Sequence, residues 1–101
     1  MGTREDLDAI FYYLLGNDHV YFQPPENLSI EYNCIIYSLD DLYDVMADNI
    51  TYHRKRRYKV LYITSDPDDE NIFAIADLPF CKMNRPYVAD NLHHYPYTLY
   101  Y

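Results

Sequence analysis

Four aspartates followed by five cations form the densest patch of chemistry in this chain. Asp40, Asp41, Asp44 and Asp48 lead into a turn-forming Asp48-Asn49 pair, and Arg54, Lys55, Arg56, Arg57 and Lys59 come after it. Those five are most of the eight basic residues, against sixteen acids and a formal net charge of -8. Two chemistries suit such a strip. One is ion pairing with carboxylates, within a hairpin or across a contact with another protein. The other is contact with nucleic-acid phosphates, to which Tyr52 and Tyr58 would add stacking. The excess of acid repels a polyanion from so small a body, so the pattern favours a surface that meets another protein or another copy of itself.

Other groups offer less. His93 and His94 are neighbours, and neighbours in a strand point to opposite faces, so one metal ion would not easily use both. Asp66, Asp68, Asp69 and Glu70 lack the glycine and the twelfth-position glutamate of an EF-hand loop and are explained more simply by helix capping. With only Gly2 and Gly16 in the chain there is no glycine-rich cradle for a phosphate. Ser29, Ser38 and Ser65 have no nucleophile-elbow context, and a pair such as Asp40 and Asp44 reads as solvated acid. Cys34 and Cys81 each lie alone in an apolar segment and read as reduced, buried thiols, not a zinc site or a disulfide. These readings assign no catalytic residue, metal or cofactor and favour an assembly protein over an enzyme.

The elements that must position the charged residues follow from periodicity. Thr3 can cap a helix with Asp6 three residues on, and Leu7, Ile10, Phe11, Leu14 and Leu15 form one apolar stripe before Gly16, which suits a left-handed cap. A helix is expected over Arg4 to Leu15. Val20 to Phe22 is a short strand that stops at the stiff Pro24-Pro25 corner, with Gln23 held extended by the proline after it. Tyr32 to Ser38 is a second strand, whose Cys34-Ile35-Ile36-Tyr37 run suggests cover on both faces. Leu39, Leu42, Tyr43 and Met46 fit a helical stripe as well as a strand. The Asp48-Asn49 turn and the β-prone Tyr58 to Thr64 stretch favour a strand continuing to Met46, with carboxylates opposite cations in one extended hairpin. Asp66 as cap and Pro67 at the first position predict a second helix over Asp68 to Asp77. Phe80 to Val88 and His93 to Tyr101 form a second hairpin about Asp90-Asn91.

This order is that of an α+β protein: an antiparallel β-sheet with two α-helices packed on one side and one long protruding β-hairpin, in a single domain over residues 1–101. Many of the 14 tyrosines, each with a hydroxyl to satisfy, are expected at edges or contacts. No run approaches the ~20 apolar residues of a membrane span, and Arg4, Glu5, Asp6 and Asp8 stand where a signal peptide needs apolar residues, so a soluble intracellular product is expected.

Several segments, in this order, resemble a group of small structural proteins of long-tailed bacteriophages. They are Val20-Tyr21-Phe22-Gln23-Pro24-Pro25, Tyr32-Asn33-Cys34-Ile35-Ile36-Tyr37, Ala47-Asp48-Asn49, Arg57-Tyr58 through Asp66-Pro67-Asp68, and Tyr87-Val88-Ala89-Asp90-Asn91-Leu92. The group is that of the tail terminator, or tail completion, proteins. The resemblance implies a virion structural protein at the head-tail junction, made in the host cytoplasm. It implies a homo-oligomer, a hexameric ring on the head-proximal end of the tail tube that stops tube polymerisation and joins tail to head. Its partners would be the tail tube protein and the head-tail connector proteins, with DNA passing through the ring without specific binding and no membrane contact. The charged residues from Asp40 to Lys59 are then candidates for the subunit or tube interface. The rivals are a head-completion or stopper protein of the same neck and, from another class, an acidic DNA mimic that inhibits a host defence protein. Five clustered cations interrupt the acidity a mimic needs.

Overall fold

In the computed structural model, residues 3–24, 30–47 and 50–101 are described, with side chains outside 41–55. Helix α1 spans Arg4–Leu15, β1 Val20–Phe22, β2 Cys34–Ala47, β3 Ile50–Thr64, α2 Asn71–Ala76, β4 Cys81–Met83, β5 Tyr87–Ala89 and β6 Leu92–Tyr100. The fold is α+β, with six strands in one sheet ordered β1-β2-β3-β6-β4 and β5 also on β6.

Helix α1 has the predicted bounds and the predicted ends. The Asp6 amide donates to Thr3 Oγ1 at 3.2 Å, the Thr3 amide donates to Asp6 Oδ2 at 3.0 Å, and Gly16 takes φ +75. The ambiguous segment from Leu39 to Met46 is strand, continuing β2 to Ala47. Between β5 and β6 the Ala89↔Leu92 pair brackets Asp90 and Asn91, whose φ values of 53 and 64 are both positive, as a two-residue type I′ turn requires. The corresponding Asp48-Asn49 turn, like Pro25, lies outside the described residues.

Several expectations need correction. The sheet is mixed, because β1 pairs with β2 in parallel (Val20↔Ile35 to Phe22↔Tyr37). Gln23 is not extended but has φ 44, held by its own amide donating to the Tyr37 carbonyl and by its Oε1 accepting from the Leu39 amide. The strand expected over Phe80 to Val88 is split. Pro96 accepts from the Asn84 amide at 2.8 Å but has no N–H to return, so the ladder opens between Met83 and Tyr87, where Pro86 also lacks a donor. Helix α2 starts at Asn71, later than the capping pattern suggested. Asp66 Oδ1 accepts from the Asp68 amide in a local turn, and Asp69 is engaged elsewhere.

Asp69 belongs to the core's polar lining. Its Oδ2 accepts from the Tyr62 hydroxyl at 2.5 Å and from Thr64 Oγ1 at 3.1 Å, while Oδ1 accepts from the Asn71 amide at 2.9 Å. The same device recurs. Tyr37 donates to Asp8 Oδ1 of α1 at 2.5 Å, and Tyr97 donates to the Ile72 carbonyl of α2 at 2.7 Å. Tyr37, Tyr58, Tyr62 and Tyr97 are fully buried and build much of the core, while Tyr12, Tyr13, Tyr32 and Tyr87 are exposed, as expected of many of these rings. Each ring supplies apolar area, and the hydroxyls of Tyr37, Tyr62 and Tyr97 reach partners in the layer above the sheet. Burial pushes these hydroxyls up, Tyr62 to about 12. Phe11 packs edge-on against Tyr37 at 5.1 Å, and Leu7, Ile72 and Ile75 complete one cluster that holds both helices on the same face of the sheet.

Candidate assembly surface

The hairpin that carries the charged residues outruns its neighbours. Strand β1 stops opposite Tyr37, and β6 stops opposite Arg57, with Tyr101 and Arg56 exchanging one last pair of backbone bonds at 2.9 and 3.2 Å. Beyond that point β2 pairs only with β3. Roughly seven residues per strand at about 3.4 Å each would carry the ribbon some 24 Å outward. The radius of gyration, 14.6 Å against about 13 Å for a compact chain of this length, and a long axis of 50 Å agree with a projecting arm.

The predicted opposition of acids and cations is present in the register. Asp41 pairs with Arg57, Leu42 with Arg56, Tyr43 with Lys55 and Asp44 with Arg54. Asp48 lies outside the described residues. Where side chains are described, at the root of the arm, the pairing is explicit. Arg57 Nε donates to Asp40 Oδ2 at 2.8 Å, and Lys59 Nζ lies 4.0 Å from Asp40 Oδ1. A register shift between Leu39 and Asp41 sets Asp40 beside Asp41 against a single partner residue and turns the Asp40 carboxylate toward both cations. One carboxylate is thus shared by two cations at the root of the arm.

That root continues into the sheet face opposite the helices. The ladder aligns Ser38, Lys59, Thr98 and Lys82 in one row across β2, β3, β6 and β4, and Tyr21, Ile36, Leu61 and Pro96 in the next across β1, β2, β3 and β6. Lys59 and Lys82 are exposed, and the apolar row is partly exposed. No described helix packs on this face, so Ile36 is covered on one side less than its neighbours Ile35 and Tyr37. At the far end, Cys34 and Ile63 are buried, and the connection into β2 crosses there, with the Glu31 amide donating to the Tyr21 hydroxyl and the Ser65 amide to Asn33 Oδ1. The sequence marked Lys59 but not Lys82, because nothing local to Lys82 announces that β6 will carry β4 alongside β3.

The remaining candidates stay apart. His93 pairs with Thr64 and His94 with Ile63, on opposite faces, and His94 stacks on Tyr87 at 4.8 Å. Cys34 is buried and Cys81 half-buried; desolvation pushes both thiols up to about 11, which disfavours the thiolate. Among the described residues no three His, Cys, Asp or Glu side chains converge as metal ligands, and no helix is long and apolar enough to cross a membrane. No protein-family model, curated protein or solved structure matches the chain.

Proposed function

We propose that this protein is a tail terminator of a long-tailed bacteriophage, a virion structural protein that forms a ring on the head-proximal end of the tail tube. In this reading it stops tube polymerisation, joins tail to head and performs no catalysis. The observation that carries it, alongside the ordered resemblance, is the projecting β2–β3 arm with acids on one strand and cations on the other. A ring closes through two different faces of each subunit, and a molecule with separated charges supplies such a pair. The arm reaches the neighbouring subunit or the tube. The net charge of -8 keeps the DNA passage from gripping phosphates, since few cations are left to release counterions.

The test is incubation of the purified protein with tail tubes and, separately, with portal-bearing heads, followed by imaging. Decoration of the head-proximal tube end is expected. Decoration of heads alone would assign the chain to the stopper role, and decoration of neither would end the proposal. Reversing Arg54, Arg56 and Arg57 to Glu is expected to abolish the decoration while leaving the unfolding midpoint of the isolated protein near that of the wild type. Duplex DNA should show no retardation at ~0.15 M salt.

A further inference from the structure

Charge in this molecule is divided between its two layers as well as along its arm. On the open face of the sheet, Lys59 and Lys82 stand in one cross-strand row, directly beside the apolar row of Ile36, Leu61 and Pro96; the Asp40 carboxylate 4.0 Å from Lys59 is already bound by Arg57 at 2.8 Å. The helix layer is the reverse. Asp68, Glu70 and Asp77 are exposed on and around α2, and Glu5 and Asp6 on the first turn of α1. The same layer shows aromatic rings to solvent, with Phe73 61% and Tyr13 88% exposed. Each layer therefore pairs apolar surface with charge, and the charges are of opposite sign.

From this complementarity we infer that the open sheet face of one copy docks on the α2 side of the helix layer of a second copy, with Lys59 and Lys82 against Asp68 and Glu70 and with Phe73 over the Ile36-Leu61-Pro96 row. The contact is heterologous, since a sheet face meets a helix face and leaves one of each unused, so it propagates until it closes on itself. Desolvation of the apolar row and of Phe73 supplies the driving force, and the charges set orientation and exclude the sheet-to-sheet alternative, which would bring lysines against lysines. The inference rests on the ring reading and adds to it which two surfaces form the subunit contact.

Charge reversal tests it. In native mass measurement and light scattering, the wild type is expected as a discrete multi-copy particle. The Lys59→Glu/Lys82→Glu variant and the Asp68→Lys/Glu70→Lys variant are each expected to run as single chains with wild-type circular dichroism. An equimolar mixture should regain the multi-copy particle, because each junction is then either the original contact or its charge-swapped image. A monomeric wild type at its highest soluble concentration, assembly of either variant alone, or failure of the mixture to recover would each overturn the inference. So would retardation of duplex DNA by the wild type that the Lys59→Glu/Lys82→Glu variant loses, which would make a polyanion the occupant of this face. Tube-end imaging of the same samples separates the two readings. Tube capping by a chain that never self-associates leaves the terminator role standing without this contact, whereas self-association without capping does the opposite.

Discussion

The two faces of the sheet are made from the same strands in alternation, yet they do different work. On the helix side, β2, β3 and β6 contribute Ile35, Tyr37, Tyr58, Val60, Tyr62, Tyr97 and Leu99, all buried. On the other side the intervening residues are Ile36, Ser38, Lys59, Leu61, Pro96 and Thr98, all at least partly exposed. A period of two residues lets one strand build the core and a binding surface at once, because successive side chains leave the pleat in opposite directions. The first face should therefore be costly to alter and the second cheap.

The largest effect is expected at Phe11, which is fully buried and edge-packed on Tyr37. Phe11→Ala removes a ring from the junction of α1 and the sheet and should cost about 3–5 kcal/mol in urea unfolding, from lost transfer energy and the cavity left behind. A loss near 1 kcal/mol would mean that α1 is loosely seated and that the contrast between the faces is overstated.

The next effect is collective and appears as an alkaline limit. Burial raises Cys34 and Cys81 from 9.0 to about 11 and Tyr62 from 10.0 to about 12, and it raises Tyr37, Tyr58 and Tyr97 as well. The unfolded chain releases these protons earlier in the titration than the folded chain does. The folded state thus holds more protons between about pH 9 and 12, and its stability falls as pH rises through that window. Below about pH 9 these groups leave stability unchanged. Unfolding midpoints at successive pH values should bend downward from about pH 9, and tyrosinate absorbance of the folded protein should lag behind that of the protein in denaturant. Coincident absorbance curves would show that the buried hydroxyls are wetter than their surroundings imply.

A smaller, more local loss is expected from Asp69→Ala. The Tyr62 hydroxyl, in a fully buried ring, and Thr64 Oγ1 would both lose their carboxylate acceptor, and the Asn71 amide would lose its cap-like partner. A cost of about 1–3 kcal/mol in the same unfolding assay is appropriate to buried donors left unsatisfied. Tyr62→Phe, which removes the donor together with its need, should cost less.

Asp69 also shows where sequence reading stops. Helix α1, the extended β2–β3 hairpin and the Asp90-Asn91 turn were legible because each is announced locally, by an apolar stripe between caps, by β-prone residues around a turn pair, and by residues that tolerate positive φ. The start of α2 was not. Asp66, Pro67 and Asp68 carry every local mark of a helix N-terminus, but Asp69 is drawn to Tyr62 and Thr64 on β3, and that tertiary bond delays the helix to Asn71. The parallel pairing of β1 with β2 and the break opposite Pro96 depend on which strand lies alongside which, and no local pattern encodes that. For the candidate surface, the opposed charges of the arm could be read directly, whereas the alignment of Lys82 with Lys59 through Thr98 required the sheet order.

The smallest effect on stability is expected on the open face. Lys59 is largely exposed, with its ammonium 4.0 Å from an Asp40 carboxylate that Arg57 already binds at 2.8 Å, and Lys82 is exposed on the edge strand β4. Exposed ion pairs contribute between zero and about 1 kcal/mol, and surface substitutions remote from the core usually stay within about 0.5 kcal/mol. Lys82→Glu should therefore leave the unfolding midpoint of the isolated chain almost unchanged, and Lys59→Glu should lower it only slightly through repulsion with Asp40. A core residue announces itself by its cost, but a binding residue in a lone subunit does not. If either lysine substitution destabilised the chain as much as Asp69→Ala, these side chains would belong to the machinery that holds the fold, and the division between a stabilising face and a docking face would fail.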